Sequence, residues 1–132
     1  MSFYVASKVY HYPMWQKLRE EGAPISASWI DLVEGERERS DEEWGDISQM
    51  CLREAAAADV LLLYAEMGDV LRGAYMEMGA ALAAGNMVGV VVPSEFEVTE
   101  ILLPHPSVSR FKCLKDAVVY YNRCFRLDEC DE

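Results

Sequence analysis

Along the chain, short apolar runs alternate with longer stretches in which apolar residues recur every three or four positions. Phe3-Tyr4-Val5-Ala6 predicts a first strand, and residues 13–21 (PMWQKLREE) a helix stopped by Gly22. Ile25 to Ile30 (ISASWI) predicts a second strand closed by Asp31, followed by a charged loop over 32–40. Ser40 with Glu43 three residues later has the capping-box pattern that opens a helix, here over 41–57. Val60 to Tyr64 and Met87 to Val92 are apolar on both faces, and such strands belong in the interior of a parallel sheet, covered above and below. Between them, the small-residue stretch Gly73 to Ala84 predicts a helix with Gly85-Asn86 as its C-cap. Residues 93–109 hold three of the five prolines and read as irregular. Arg110 to Leu114 reads as a short edge strand, 115–125 as a last helix and 126–132 as an acidic tail.

Strands and helices alternating at this spacing imply βαβ units with right-handed crossovers. The expected architecture is a three-layer α/β sandwich, a single domain over 1–132, whose five-stranded parallel sheet has the flavodoxin-like order 2-1-3-4-5. Ligands in such sheets sit at the carboxyl ends of the strands, near the switch in strand order. The positions to watch are therefore Ser7 and Lys8, Asp31, residues 65–72, and Pro93-Ser94-Glu95.

Composition narrows the function. A chain of 132 residues fits one domain with a real core. Twelve Lys and Arg against 23 Asp and Glu leave a net charge of −11, a field that repels polyanions and argues against a nucleic-acid polymer as partner. A small nucleotide held by one or two local cations remains compatible with it. No apolar run reaches the length of a membrane span, and the N-terminus lacks the apolar core of a signal peptide. Cys51, Cys113, Cys124 and Cys130 form no C-x-x-C pair and have no histidine at zinc-ligand spacing. Unpatterned thiols of this kind fit a soluble cytoplasmic protein without a metal site or a disulfide scaffold.

No dinucleotide fingerprint, P-loop or G-x-S-x-G elbow occurs, and no cofactor is implied. His11 and His105 stand far apart without a motif, and a lone histidine is more often a surface or structural residue. The informative stretch runs from Asp59 to Gly85. On a helix, Glu77 has Gly73, Ala74, Ala80 and Ala81 as its neighbours three and four positions away. A carboxylate on such a glycine and alanine face either lines a cleft or points into water near the positive end of the helix dipole.

These residues carry a resemblance. A first strand ending in Tyr4-x-Ala6, Asp59 opening a buried strand, and G-x-x-x-E-x-G-x-A-x-x-x-G over Gly73 to Gly85 resemble the nucleoside 2-deoxyribosyltransferase family, which includes 2′-deoxynucleoside 5′-monophosphate N-glycosidases. The resemblance implies that Glu77 is a nucleophile and that Tyr4 orients it. Many members also carry an Asp six residues before the nucleophile, where this chain has Leu71, with Asp69 two residues earlier. Many carry another Asp in the helix before the central strand, near Cys51 here, where the nearest acid is Asp46.

An N-glycosidic bond breaks through an oxocarbenium-like transition state that a carboxylate stabilises or traps, which suits this residue set. Arg72 and Lys8, with the free N–H groups at the start of the Gly73 helix, form a place for one phosphate, the alternative being solvated surface charges. Trp29 stacks on a base or is simply core or an oligomer contact, and Asp31 is placed to accept from a ribose hydroxyl or a base edge. Ala6, Ser7, Asp69, Gly73 and Ala74 complete the expected substrate-binding set. The methionines Met67, Met76, Met78 and Met87 read as core or interface filling. Together with the surplus of Trp and Tyr, they point to a homodimer or larger homo-oligomer. The expected function is cleavage or transfer of the N-glycosidic bond of a nucleoside or nucleoside 5′-monophosphate. Two alternatives stay open: a catalytically silent nucleotide-binding module, and an NAD-cleaving domain related to the Toll/interleukin receptor fold.

Overall fold

The computed structural model describes residues 1–35, 37–96 and 104–130, with 127–130 described by their backbone. Residues 97–103, within the stretch expected to be irregular, and 131–132, at the end of the acidic tail, lie outside the described residues.

Four parallel strands form the sheet in the order β1-β2-β3-β4: β1 Phe3–Ala6, β2 Val60–Tyr64, β3 Met87–Val91 and β4 Val108–Phe111. Among the described residues five helices accompany them: α1 Tyr12–Glu20, α2 Trp29–Leu32, α3 Asp41–Ala57, α4 Gly73–Ala83 and α5 Leu114–Cys130. A 3-10 turn, Val9–His11, joins β1 to α1. Successive side chains of a strand point to opposite faces. Tyr4 meets Glu77 of α4, whereas its neighbour Phe3 meets Tyr121 of α5 edge to face, with ring centroids 6.4 Å apart. Hence α4, with α3 packed on it, covers one face and α5 the other, which makes three layers.

The expected fifth strand is corrected by the structure. Over residues 25–30, Ile25 alone bridges Phe3, on the edge of β1 away from β2, and Trp29 to Leu32 turn into the short helix α2. The reason lies in side chains. Val5 O, which the next residue of a pairing strand would have bonded, accepts instead from the indole Nε1–H of Trp29 at 2.8 Å. Ser28 is drawn toward α3, its N–H and hydroxyl both donating to the Glu54 carboxylate at 2.9 and 2.6 Å. With those groups satisfied, the segment has nothing left to gain from a longer ladder. The sheet is therefore four-stranded, and the predicted second strand survives as one bridge. Two smaller shifts concern the ends: β4 begins at Val108 rather than Arg110, and α5 runs on to Cys130.

Elsewhere local chemistry decides the element. The capping box of α3 is complete, with Glu43 N–H donating to Ser40 Oγ and Ser40 N–H to the Glu43 carboxylate. At the end of α4, Gly85 takes φ +83°. There Asn86 N–H reaches Ala81 O and Gly85 N–H reaches Leu82 O, both at 3.0 Å, the Schellman pattern that a left-handed glycine permits. Val60, Leu61, Leu62 and Leu63 are wholly buried between the two helical layers. Gly89 on β3 lets α5 come close: a Cβ there would lie 2.9 Å from Tyr121 Cε2 and 3.1 Å from Leu62 Cδ2. No helix among the described residues is long and apolar enough to cross a membrane.

Candidate active site

The carboxyl ends of β1 and β2 and the start of α4 enclose a cavity of about 210 Å³, lined by Ser7, Lys8, Val9, Val70, Leu71, Arg72, Gly73, Ala74 and Glu77. Three hollows elsewhere are larger, about 450 Å³ between α1 and α5, about 460 Å³ beside Pro93, Arg110 and Phe111, and about 410 Å³ beside Val33, Arg37 and Trp44. None of these is lined by a desolvated carboxylate, whereas the smaller cavity is lined by Glu77, which in turn neighbours the buried Tyr4 hydroxyl.

Glu77 sits in the second turn of α4, where Gly73, one turn earlier, offers no side chain to cover it. Its Oε1 lies 4.0 Å from where a Cβ on Gly73 would be, and its Oε2 is buried without a hydrogen-bond partner. Burial raises its proton affinity, partly countered by the nearby Tyr4 hydroxyl, and the net effect is a carboxyl pushed up to about 7. Tyr4, from the middle of β1, is fully buried, and its Oη also lacks a partner. Burial above all, then the charge of Glu77, drives the Tyr4 phenol far above the usual range, so it stays protonated. The two groups lie close enough to shift each other's titration without closing a hydrogen bond of good geometry within the chain. The half-buried thiol of Cys51 on α3 is the third member; burial raises its pKa, and it too neighbours Tyr4 and Glu77.

Lys8 and Arg72 reach the rim from opposite walls, both exposed, and among the described residues neither takes part in an ion pair. Arg72 is the N-cap of α4 and makes no side-chain cap, and the first turn of that helix holds no acid. Unfilled N–H groups and two cations thus converge on one side of an otherwise acidic protein.

The remaining expected residues lie as follows. Ser7 lines the cavity, its hydroxyl accepting from Trp15 Nε1 at 2.8 Å and donating to Lys8 O at 2.9 Å. Ala6 is buried at the end of β1, paired with Leu63, and does not line it. Trp29 is core, 6% exposed. Asp31 is held at the surface by a bidentate pair with Arg19, both bonds 2.8 Å, which lowers its pKa. Asp69 is buried behind the cavity wall and already has three hydrogen bonds. Asp59 lies at the opposite end of the sheet, accepting from Ser2 N–H at 2.8 Å. Among the described residues lining the cavity, Glu77 is the single carboxylate, and Leu71 occupies the wall without a polar group to offer. Sequence reasoning missed His11, which bonds Asp69, and reached the position of Cys51 only through the resemblance, without its nearness to the Tyr4 hydroxyl. Both depend on partners far away in the chain, and no local spacing marks them.

No protein-family model matches the sequence, and no curated protein matches it. Solved structures do match in fold. A 2-deoxyribosyltransferase from the psychrotolerant bacterium Bacillus psychrosaccharolyticus superposes with a TM-score of 0.69 at 17% identity, over 89% of this chain and 90% of that one. The Clostridium botulinum CMP N-glycosidase BcmB superposes with a TM-score of 0.56 at 13% identity, over 92% of this chain and 98% of that one. The chain thus shares the α/β fold of a nucleoside deoxyribosyltransferase and of a nucleotide N-glycosidase across most of its length.

Proposed function

We propose that this protein cleaves or transfers the N-glycosidic bond of a nucleoside or, better, a nucleoside 5′-monophosphate, with Glu77 as the nucleophile. The observation that carries the reading is the Glu77 carboxylate: desolvated, facing the Tyr4 hydroxyl and opening on a cavity rimmed by Lys8 and Arg72. The enzymatic activities named for the two fold neighbours, a 2-deoxyribosyltransferase and a CMP N-glycosidase, support the same reaction type.

In this reading a Glu77 oxygen attacks the anomeric carbon, and the base departs with the electron pair of the glycosidic bond. Water then hydrolyses the glycosyl ester, or a second base accepts the sugar. A carboxyl titrating about 7 is ionised in a large fraction of molecules at neutral pH, and poor solvation keeps the anion reactive. The Tyr4 phenol, locked in its protonated form, donates to one carboxylate oxygen and leaves the other to attack. Among the described residues no second carboxylate lines the cavity, and in this reading the proton for the leaving base comes from solvent. Lys8, Arg72 and the first N–H groups of α4 hold the phosphate.

A second reading rests on the same wall. Leu71 stands where a leaving-group acid would be useful, which favours a protein that binds nucleotides and releases no base.

Chromatography for free base after incubation with a panel of nucleosides, 5′-monophosphates and NAD separates the two. The proposal expects release from at least one nucleotide, and a loss of at least a thousandfold in Glu77→Gln with ligand binding kept. Nucleotide binding by the wild type without any base release supports the silent module instead.

A further inference from the structure

His11, which the proposed mechanism does not use, is 7% exposed, and its Nε2 lies 2.9 Å from Asp69 Oδ2. Burial pushes the Asp69 carboxyl up, but the Glu66 N–H, the Tyr10 hydroxyl and His11 together bring it below its ordinary value. An ionised carboxylate only accepts, so His11 Nε2–H donates. Asp69 Oδ1 accepts from the Tyr10 hydroxyl, and Oδ2 also accepts from Glu66 N–H at 2.9 Å. The His11 ring packs edge to face on Tyr64 at 5.0 Å, and its Nδ1 stands 4.0 Å from Glu66 Oε2. This cluster joins two segments distant in sequence, the turn after β1 and the 65–72 loop after β2. Those segments are the two walls of the cavity: Lys8 and Val9 on one side, Val70, Leu71 and Arg72 on the other. Among the described residues, no backbone–backbone hydrogen bond ties residues 66–71 to anything outside the loop, and Arg72 O accepts only from Met76 N–H of α4, at 3.4 Å.

We propose that His11 and Asp69 are positioning residues, whose buried hydrogen bond latches the 65–72 loop onto the turn after β1 and so fixes the spacing of Lys8 and Arg72 across the cavity. The latch acts on the loop, not on reacting atoms. Glu77 is held separately, by the packing of α4 on α3 and the sheet. Loosening the latch therefore weakens capture of the substrate more than it slows chemistry, a consequence that rests on the proposed function.

The test uses His11→Phe, which keeps a ring but removes the donor, and His11→Gln, whose Nε2–H can replace it. Hydrogen exchange on the ligand-free protein reads the latch without any assumption about activity. The expected result is at least tenfold faster exchange of the Glu66 and Asp69 amides, which are hydrogen-bonded within the loop, in His11→Phe, return toward wild type in His11→Gln, and unchanged exchange in β2 and α3. With CMP as probe, KM rises tenfold or more in His11→Phe while kcat falls less than threefold. Unchanged loop exchange overturns the proposal. So does acceleration of loop and sheet together, which marks a general structural role, and so does faster loop exchange with KM unmoved. If His11→Phe does not fold, Asp69→Asn is the second variant. It keeps an acceptor for Glu66 N–H but not for both Tyr10 and His11, and the same loop-confined acceleration is expected. If the wild type cleaves neither CMP nor any other nucleotide, the proposed function fails, and loop exchange with its rescue by Gln still decides the latch.

Discussion

Tyr4 and Glu77 face each other from β1 and α4, and among the described residues neither Tyr4 Oη nor Glu77 Oε2 has a hydrogen-bond partner. Leaving two polar groups in this state costs stability, on the order of 1–3 kcal/mol for each orphaned atom. A strand and a helix that are otherwise tightly packed hold the pair together at the edge of a cavity. Such local inconsistency is what a site prepared for an incoming ligand shows.

The Glu77 carboxyl titrates about 7 in the folded protein against 4.5 for an ordinary glutamate, and burial is the main cause. Between these values the native state binds more protons than the unfolded chain, so stability falls as pH rises through that window. At pH 4 both states are protonated and the shift has no effect. Above pH 7 the whole penalty applies, roughly 3 kcal/mol at about 1.4 kcal/mol per pKa unit. Glu77→Gln removes it. Urea unfolding at pH 4 and pH 8 should show the variant close to wild type at the lower pH and more stable by up to about 3 kcal/mol at the higher.

Tyr4→Phe removes a buried hydroxyl that closes no hydrogen bond of good geometry, so at pH 4, where Glu77 is protonated, stability should hold or rise by about 1 kcal/mol. Catalysis should move the other way. Loss of a donor to the charged form raises the Glu77 pKa further, and turnover at pH 7 should drop about tenfold without vanishing. The rising limb of the pH–rate profile should shift to higher pH. A variant with wild-type turnover and an unmoved limb would separate Tyr4 from the proposed nucleophile.

Lys8→Ala and Arg72→Ala should lower affinity for a 5′-monophosphate while leaving the matching nucleoside nearly unaffected. A charge-assisted contact where water is partly excluded is worth about 1.5–3 kcal/mol, or on the order of tenfold to a hundredfold in Kd. Titration calorimetry on the Glu77→Gln background measures this without turnover. An unchanged ratio of the two affinities removes the phosphate from the proposed site.

Gly89→Ala should destabilise by about 1–3 kcal/mol through overpacking. The added methyl would meet Tyr121 Cε2 at 2.9 Å, Leu62 Cδ2 at 3.1 Å and Phe111 Cε2 at 3.3 Å. The Tyr121 ring, almost wholly buried between Phe3 and Phe111, has little room to give. Thermal unfolding should show a lower midpoint, with base release at low temperature unaffected, because the cavity lies at the other side of β1 and β2 from this contact.

Read alone, the amino-acid order determines the elements that local rules govern. β1 and α3 begin and end where predicted, the second because Ser40 and Glu43 cap each other within one turn. β2, α4 and β3 follow from two-sided apolar runs and from a glycine that alone accepts φ +83° after α4. That Glu77 stands on a glycine and alanine face was legible because Gly73 and Ala74 lie on the same short helix. Tertiary structure decided what depends on distant partners. ISASWI has the composition of a strand, yet the Trp29 indole takes the Val5 carbonyl and Glu54 takes Ser28, so the sheet stops one strand early. Asp31, well placed at a strand end, becomes the surface partner of Arg19 once that strand is a helical turn. His11 carries no motif and gains its place only when the fold brings Asp69 within 2.9 Å. Local periodicity records which residues face a core, but a buried donor's choice of acceptor is settled only when the chain has closed around both.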